Sequence, residues 1–192
     1  IQTEPDPVII IPGILGSEQH NGEWVIDPIL HTYDDLVAHS MGGLAARQYI
    51  QSDAYDHDVD QLIFLGTPHL GAPKAYLMWE GGEIGPFLDP LDTITEIILS
   101  HEGYEQRFSH LFDYIRTAPI ESVRELLPTY NYIFDDPDLR DYSNNYPINV
   151  FLENLNTNVG NLLSSGVEIH NLVGETQTQQ TIIGIDSTDS SI

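Results

Sequence analysis

The feature that most restricts this chain is a strand, a tight turn and a helix built around one serine. Leu36-Val37-Ala38 ends an apolar run, and His39-Ser40-Met41-Gly42 turns. Residues 41–51 then carry Leu44, Ala45, Tyr49 and Ile50 at helical spacing. A polar loop over 53–60 leads into Gln61-Leu62-Ile63-Phe64-Leu65, closed by Gly66-Thr67-Pro68. Strand, helix and strand in that order predict a parallel pair joined by a crossover helix. Both runs are continuously apolar, as in strands buried in a parallel sheet. Pro7-Val8-Ile9-Ile10-Ile11, stopped by Pro12-Gly13, supplies another such strand. The fold class is therefore α/β with a mainly parallel sheet.

From about Lys74 to Ser165 the character changes. Residues 91–100 and 104–116 have helical apolar spacing, 121–127 form a short helix stopped by Pro128, and 151–163 are helical again. Residues 131–149, rich in Asp, Asn, Pro and Tyr, read as loop. Residues 167–173 alternate and end at Gly174 as a strand, with a further strand over 181–185. The expected organisation is an N-terminal core part over 1–74, a helical cap over 75–165 and C-terminal core strands over 166–192.

Ser40 is the candidate nucleophile. A serine at a sharp strand-to-helix turn has its hydroxyl projected from the sheet edge, and small neighbours such as Ala38 and Gly42 let the turn close. The helix that follows offers backbone N–H groups and a positive dipole end to a developing oxyanion. Pro12-Gly13-Ile14-Leu15-Gly16-Ser17, leaving the first strand, brings a second N–H to the same edge. The expected oxyanion hole is the N–H of Ile14 and of Met41. His39 reads as packing within the turn, His69 as a candidate for the site rim, and His170 as structural.

Pro7 to Ser17, Val-Ala-His-Ser-Met-Gly-Gly-Leu-Ala-Ala-Arg and Leu-Gly-Thr-Pro-His-Leu-Gly-Ala-Pro together resemble the lipases and acyltransferases of the lecithin:cholesterol acyltransferase group. The likeness covers residues 7–17 and 36–74 and is looser over 126–185. It implies an α/β-hydrolase with a helical cap insertion and hydrolysis of carboxylic, lipid-type esters through an acyl-enzyme on Ser40. It implies neither metal nor cofactor. Acyl transfer, a peptidase or amidase activity, or a non-catalytic acyl- or lipid-binding module on the same fold are the alternatives.

Two departures qualify this. Between Gly13 and Ser40, 27 positions later, the family fold runs through two crossovers, each about 30 residues or more. Roughly one strand and most of two helices have no sequence to form them, whether through a deletion or a join across a missing segment. A direct join leaves an unpaired sheet edge and exposed apolar surface. The fold also orders its triad as serine, acid, histidine. Glu175 and Asp186 stand where an acid would, but no histidine follows His170. The acid and the base are expected beyond Ile192, and neither is assigned.

Thirty Asp and Glu against six Lys and Arg give a formal charge of −24. Such a field repels nucleic acid and anionic membrane surfaces; the partner that the resemblance implies is a small-molecule ester or lipid. The acidic residues read as a solvated surface. A calcium site at Asp135, Asp136, Asp138 and Asp141 is the sharper alternative, without the spacing of an EF-hand loop. No apolar run reaches the roughly 20 residues of a membrane helix. The chain holds no cysteine, so thiol catalysis and disulfide scaffolds are excluded. Its start at Ile1 fits a removed secretion signal or a trimmed chain, and an extracellular location is the expectation.

Overall fold

The computed structural model describes residues 8–11, 19–20, 23–24, 35–81, 90–117, 121–135, 137–144, 146–174 and 185–186. In chain order the elements are β1 (Val8–Ile11), β2 (Gln19–His20), β3 (Glu23–Trp24), β4 (Asp35–His39), α1 (Gly42–Gln51) and β5 (Gln61–Leu65). Then come α2 (Pro73–Gly81), α3 (Pro90–Glu105), α4 (Leu111–Thr117), α5 (Glu121–Arg124), β6 (Ile133–Asp135) and β7 (Asp138–Leu139). The series ends with α6 (Val150–Thr157), α7 (Val159–Leu163), β8 (Glu168–Leu172) and β9 (Ile185–Asp186). The chain divides into two compact units, one of Ile1–His69 with Asn154–Thr178, the other of Leu70–Glu153 with Gln179–Ile192.

The first unit is built on a four-stranded sheet in the order β1-β4-β5-β8, every pairing parallel. The register sets Ile11 beside Ala38 and Ala38 beside Phe64, with Leu36 beside Leu62. Because side chains alternate along a strand, these residues share one face, and they form the core with Ala46, Ile50, Val59 and Leu162. Burying Leu36, Leu62 and Phe64 stabilises the unit by about 2 kcal/mol each. The opposite face is less covered. Val37 and Ile63 are half-buried and Ile10 is 73% exposed, so the strands alternate where the sequence suggested burial throughout. Ile10 lies on β1, at one end of the order of described strands.

Among the described residues, the second unit holds two clusters. Met78, Ile115 and Val123 form one, with Trp79, Leu99 and Leu111 against it. Tyr132, Ile133 and Tyr146 form the other, flanked by Tyr76, Leu77, Tyr130 and Tyr142. The helical break falls at 106–110, later than the apolar spacing suggested, and residues 131–149 contain the β6–β7 hairpin. Of the strand expected over 181–185, only Ile185 is described. It starts β9, which runs parallel to β6. Asn149 begins α6 by accepting the Leu152 N–H at 3.0 Å, while its amide donates to the carbonyls of Glu125 and Leu127 at 2.9 and 2.7 Å.

Candidate active site

Ser40 stands between the end of β4 and the start of α1 with a φ of +54°, the left-handed region that a non-glycine residue avoids. Such a conformation costs of the order of 1–3 kcal/mol and persists only where its surroundings impose it. Here they do. The Ser40 N–H donates to the Leu65 carbonyl at 3.0 Å, tying the turn to the end of β5. The Ser40 carbonyl accepts from Gly43 at 3.1 Å and closes the first turn of α1. Ala38 is wholly buried, and Gly42 and Gly43 are buried too. A Cβ at Gly43 would lie 2.0 Å from Thr67 Oγ1 and 2.8 Å from Phe64 Cδ1, so glycine is what lets the helix start so close to β5.

Met41 takes helical dihedrals as the N-cap residue of α1. Its N–H precedes the i−4 ladder, among the donors a helix start leaves for other acceptors. Ile14, the expected second oxyanion donor, lies outside the described residues. β1 ends at Ile11, in register with Ala38, two residues before the serine.

The histidines differ in placement. His39 is exposed rather than packed, because it closes a strand whose buried positions are Leu36 and Ala38. His170 is exposed on β8 and pairs with Glu168 at 3.2 Å. His69 is half-buried, with its ring edge-on to Phe64 at 4.7 Å and its Nδ1 3.2 Å from an Arg47 Nη1. Burial and the Arg47 charge hold the His69 pKa below the usual imidazole range, against a hydrogen bond to the Asn171 side chain. Asp135 is engaged by Arg140, at 2.7 and 2.9 Å. Glu175 lies outside the described residues, and Asp186 is described only as part of β9.

Arg47 is the residue that sequence reasoning missed. It is 2% exposed on α1. Its Nε donates to Gln51 Oε1 at 3.1 Å, and one Nη donates to the Leu155 carbonyl at 3.0 Å and Asn156 Oδ1 at 2.9 Å. The available signal was its place four residues after Gly43, on the small-residue side of the helix.

Residues 30–78 match the family described as PGAP1-like alpha/beta domain. The match spans β4, the serine turn, α1, β5 and most of α2. It supports an α/β-hydrolase-like superfamily, in agreement with the parallel sheet, and does not single out the lecithin:cholesterol acyltransferase group. No curated protein and no solved structure matches the chain. Among the described residues no helix is long and apolar enough to cross a membrane.

Proposed function

We propose that this chain hydrolyses carboxylic esters, with lipid esters as the substrate class, through an acyl-enzyme on Ser40. The observation that carries this is the positive φ of Ser40 at the junction of β4 and α1, the strained turn that presents a nucleophile at a sheet edge. Ser40 Oγ attacks the ester carbonyl and gives its proton to a base. The N–H groups of Ile14 and Met41 hold the tetrahedral oxyanion. The C–O bond breaks, the alcohol leaves with a proton, and water releases the acid from Ser40. An alcohol in place of that water would make the same intermediate an acyl donor. The resemblance to the lecithin:cholesterol acyltransferase group supports lipid esters over amides.

Fluorophosphonate labelling read by peptide mass spectrometry tests this. In a chain long enough to supply the base, labelling at Ser40 that is lost on denaturation is expected, together with hydrolysis of an activated ester that drops by on the order of 10⁴-fold or more in Ser40→Ala. The melting temperature of that variant should barely change. Ester hydrolysis that survives Ser40→Ala would sink the proposal. A folded chain that binds acyl chains but neither labels nor hydrolyses, in this form or in a longer one, would return it to a binding module.

A further inference from the structure

Among the described residues, Arg47 has a network of acceptors that contains no carboxylate. Gln51 Oε1, the Leu155 carbonyl, Asn156 Oδ1 and His69 Nδ1 are all neutral acceptors around a guanidinium that is 2% exposed. We propose that Arg47 is a positioning residue that fixes His69 as the neutral imidazole with its proton on Nε2, so that His69 braces the turn beside Ser40 and is not its base. The clause about the base rests on the ester-hydrolase reading above, whereas the tautomer does not.

A guanidinium has five N–H donors and no lone pair to offer. The 3.2 Å contact between Arg47 Nη1 and His69 Nδ1 therefore has one polarity, with Arg47 donating and Nδ1 accepting. A proton on Nδ1 would set two N–H groups against each other in a half-buried place. With Nδ1 accepting from Arg47, the neutral ring carries its proton on Nε2. Nδ1 is then engaged and Nε2 protonated, and no lone pair remains to accept the proton of Ser40.

The rest of the turn is held from the same side. The Asn156 amide donates to the His69 carbonyl at 3.0 Å. The His69 ring stands edge-on to Phe64, the side chain that also closes over Gly43 in the first turn of α1. The groups facing His69 are thus Arg47 from α1, Phe64 from β5, Asn156 from α6 and Asn171 from β8. Among the described residues that face it, only Arg47 carries a charge, and it is positive.

Nitrogen NMR of the whole chain with 15N-labelled histidine reads the tautomer directly, with the other imidazoles as internal reference. The expected His69 spectrum shows Nδ1 unprotonated, Nε2 protonated, and no protonation on going from neutral pH to about the ordinary imidazole pKa of 6.5. Arg47→Met should release the ring and move its titration up. Asn171→Asp, on an exposed position of β8, should also move it up without threatening the fold. A δ1-protonated or cationic His69 in the wild-type chain overturns the proposal, and so does an Asn171→Asp or a folded Arg47→Met chain whose His69 titration is unmoved. None of these readouts needs Ser40 to react. Loss of labelling would remove the ester-hydrolase reading and leave the tautomer standing, and a wrong tautomer would do the reverse.

Discussion

The turn around Ser40 and the tyrosine-rich hairpin around Tyr132 are both irregular backbone held firmly, by different means. At Ser40 the means are local. A small residue precedes the turn, two glycines follow, and the neighbouring strand accepts one N–H. At Tyr132 the means are remote in sequence. The Tyr146 hydroxyl accepts the N–H groups of Tyr132 and Ile133 at 3.3 and 3.2 Å and donates to the Arg140 carbonyl at 2.7 Å. Tyr76, Tyr130 and Tyr146 then close around the Tyr132 ring edge-on. A tight turn next to a reacting group can be specified by the size of its own residues. A hairpin with strands of three and two residues cannot, and needs a side chain from farther along the chain to satisfy its backbone.

The difference predicts unequal damage at two glycines. Gly71, in the second unit, has a φ of +87°, and a Cβ there would meet the Leu127 carbonyl oxygen at 2.5 Å and Pro128 Cα at 2.6 Å. Both contacts are with backbone, so Gly71→Ala combines dihedral strain with a clash that cannot yield, and should cost about 3 kcal/mol or more in urea unfolding. Tyr146→Phe should cost about 2–3 kcal/mol, because it removes the hydroxyl that bonds two backbone N–H groups and a carbonyl. Gly43→Ala should cost less, about 1–2 kcal/mol, since its nearest contact is the Thr67 side chain rather than backbone. Adding Thr67→Ala should recover part of that loss, and a strictly additive double mutant would show that Thr67 is not what excludes the Cβ.

The same contrast decides what the sequence made legible. β4, α1 and β5 could be read because apolar runs of strand length, a helical period and glycine-proline punctuation follow one another between Asp35 and Pro68. Ser40 was legible as a site for the same reason. β6 and β7 were not, because Asp, Asn, Pro and Tyr are loop-like by composition and the Tyr146 hydroxyl that organises them acts across 13 and 14 positions. The face of α1 was legible only in part. Ala45 lies exposed, whereas Arg47 is buried, since neutral acceptors on Gln51, Leu155 and Asn156 take its N–H groups. Hydrophobicity alone assigns an arginine to solvent.

The smallest expected effect concerns what the two units share. Each carries a tyrosine hydroxyl that donates to a carboxylate, from Tyr49 to Asp58 at 2.7 Å in the first, and from Tyr114 to Glu102 and Tyr142 to Glu153, both at 2.8 Å, in the second. Burial first, and the carboxylate second, push all three phenols up to about 12. An unfolded tyrosine ionises near its ordinary value of about 10. Between those values the unfolded chain has lost protons that the folded chain keeps, so stability falls as pH rises. The contribution is complete below about pH 10 and is lost by about pH 12. Near neutral pH, Tyr142→Phe should cost well under 1 kcal/mol, since the pair is only partly shielded from water, and its unfolding free energy should converge on wild type across that alkaline window. Tyr49→Phe should behave alike in the first unit. A difference from wild type that stays constant with pH would mean that ring packing, rather than the hydroxyl–carboxylate pair, accounts for the loss.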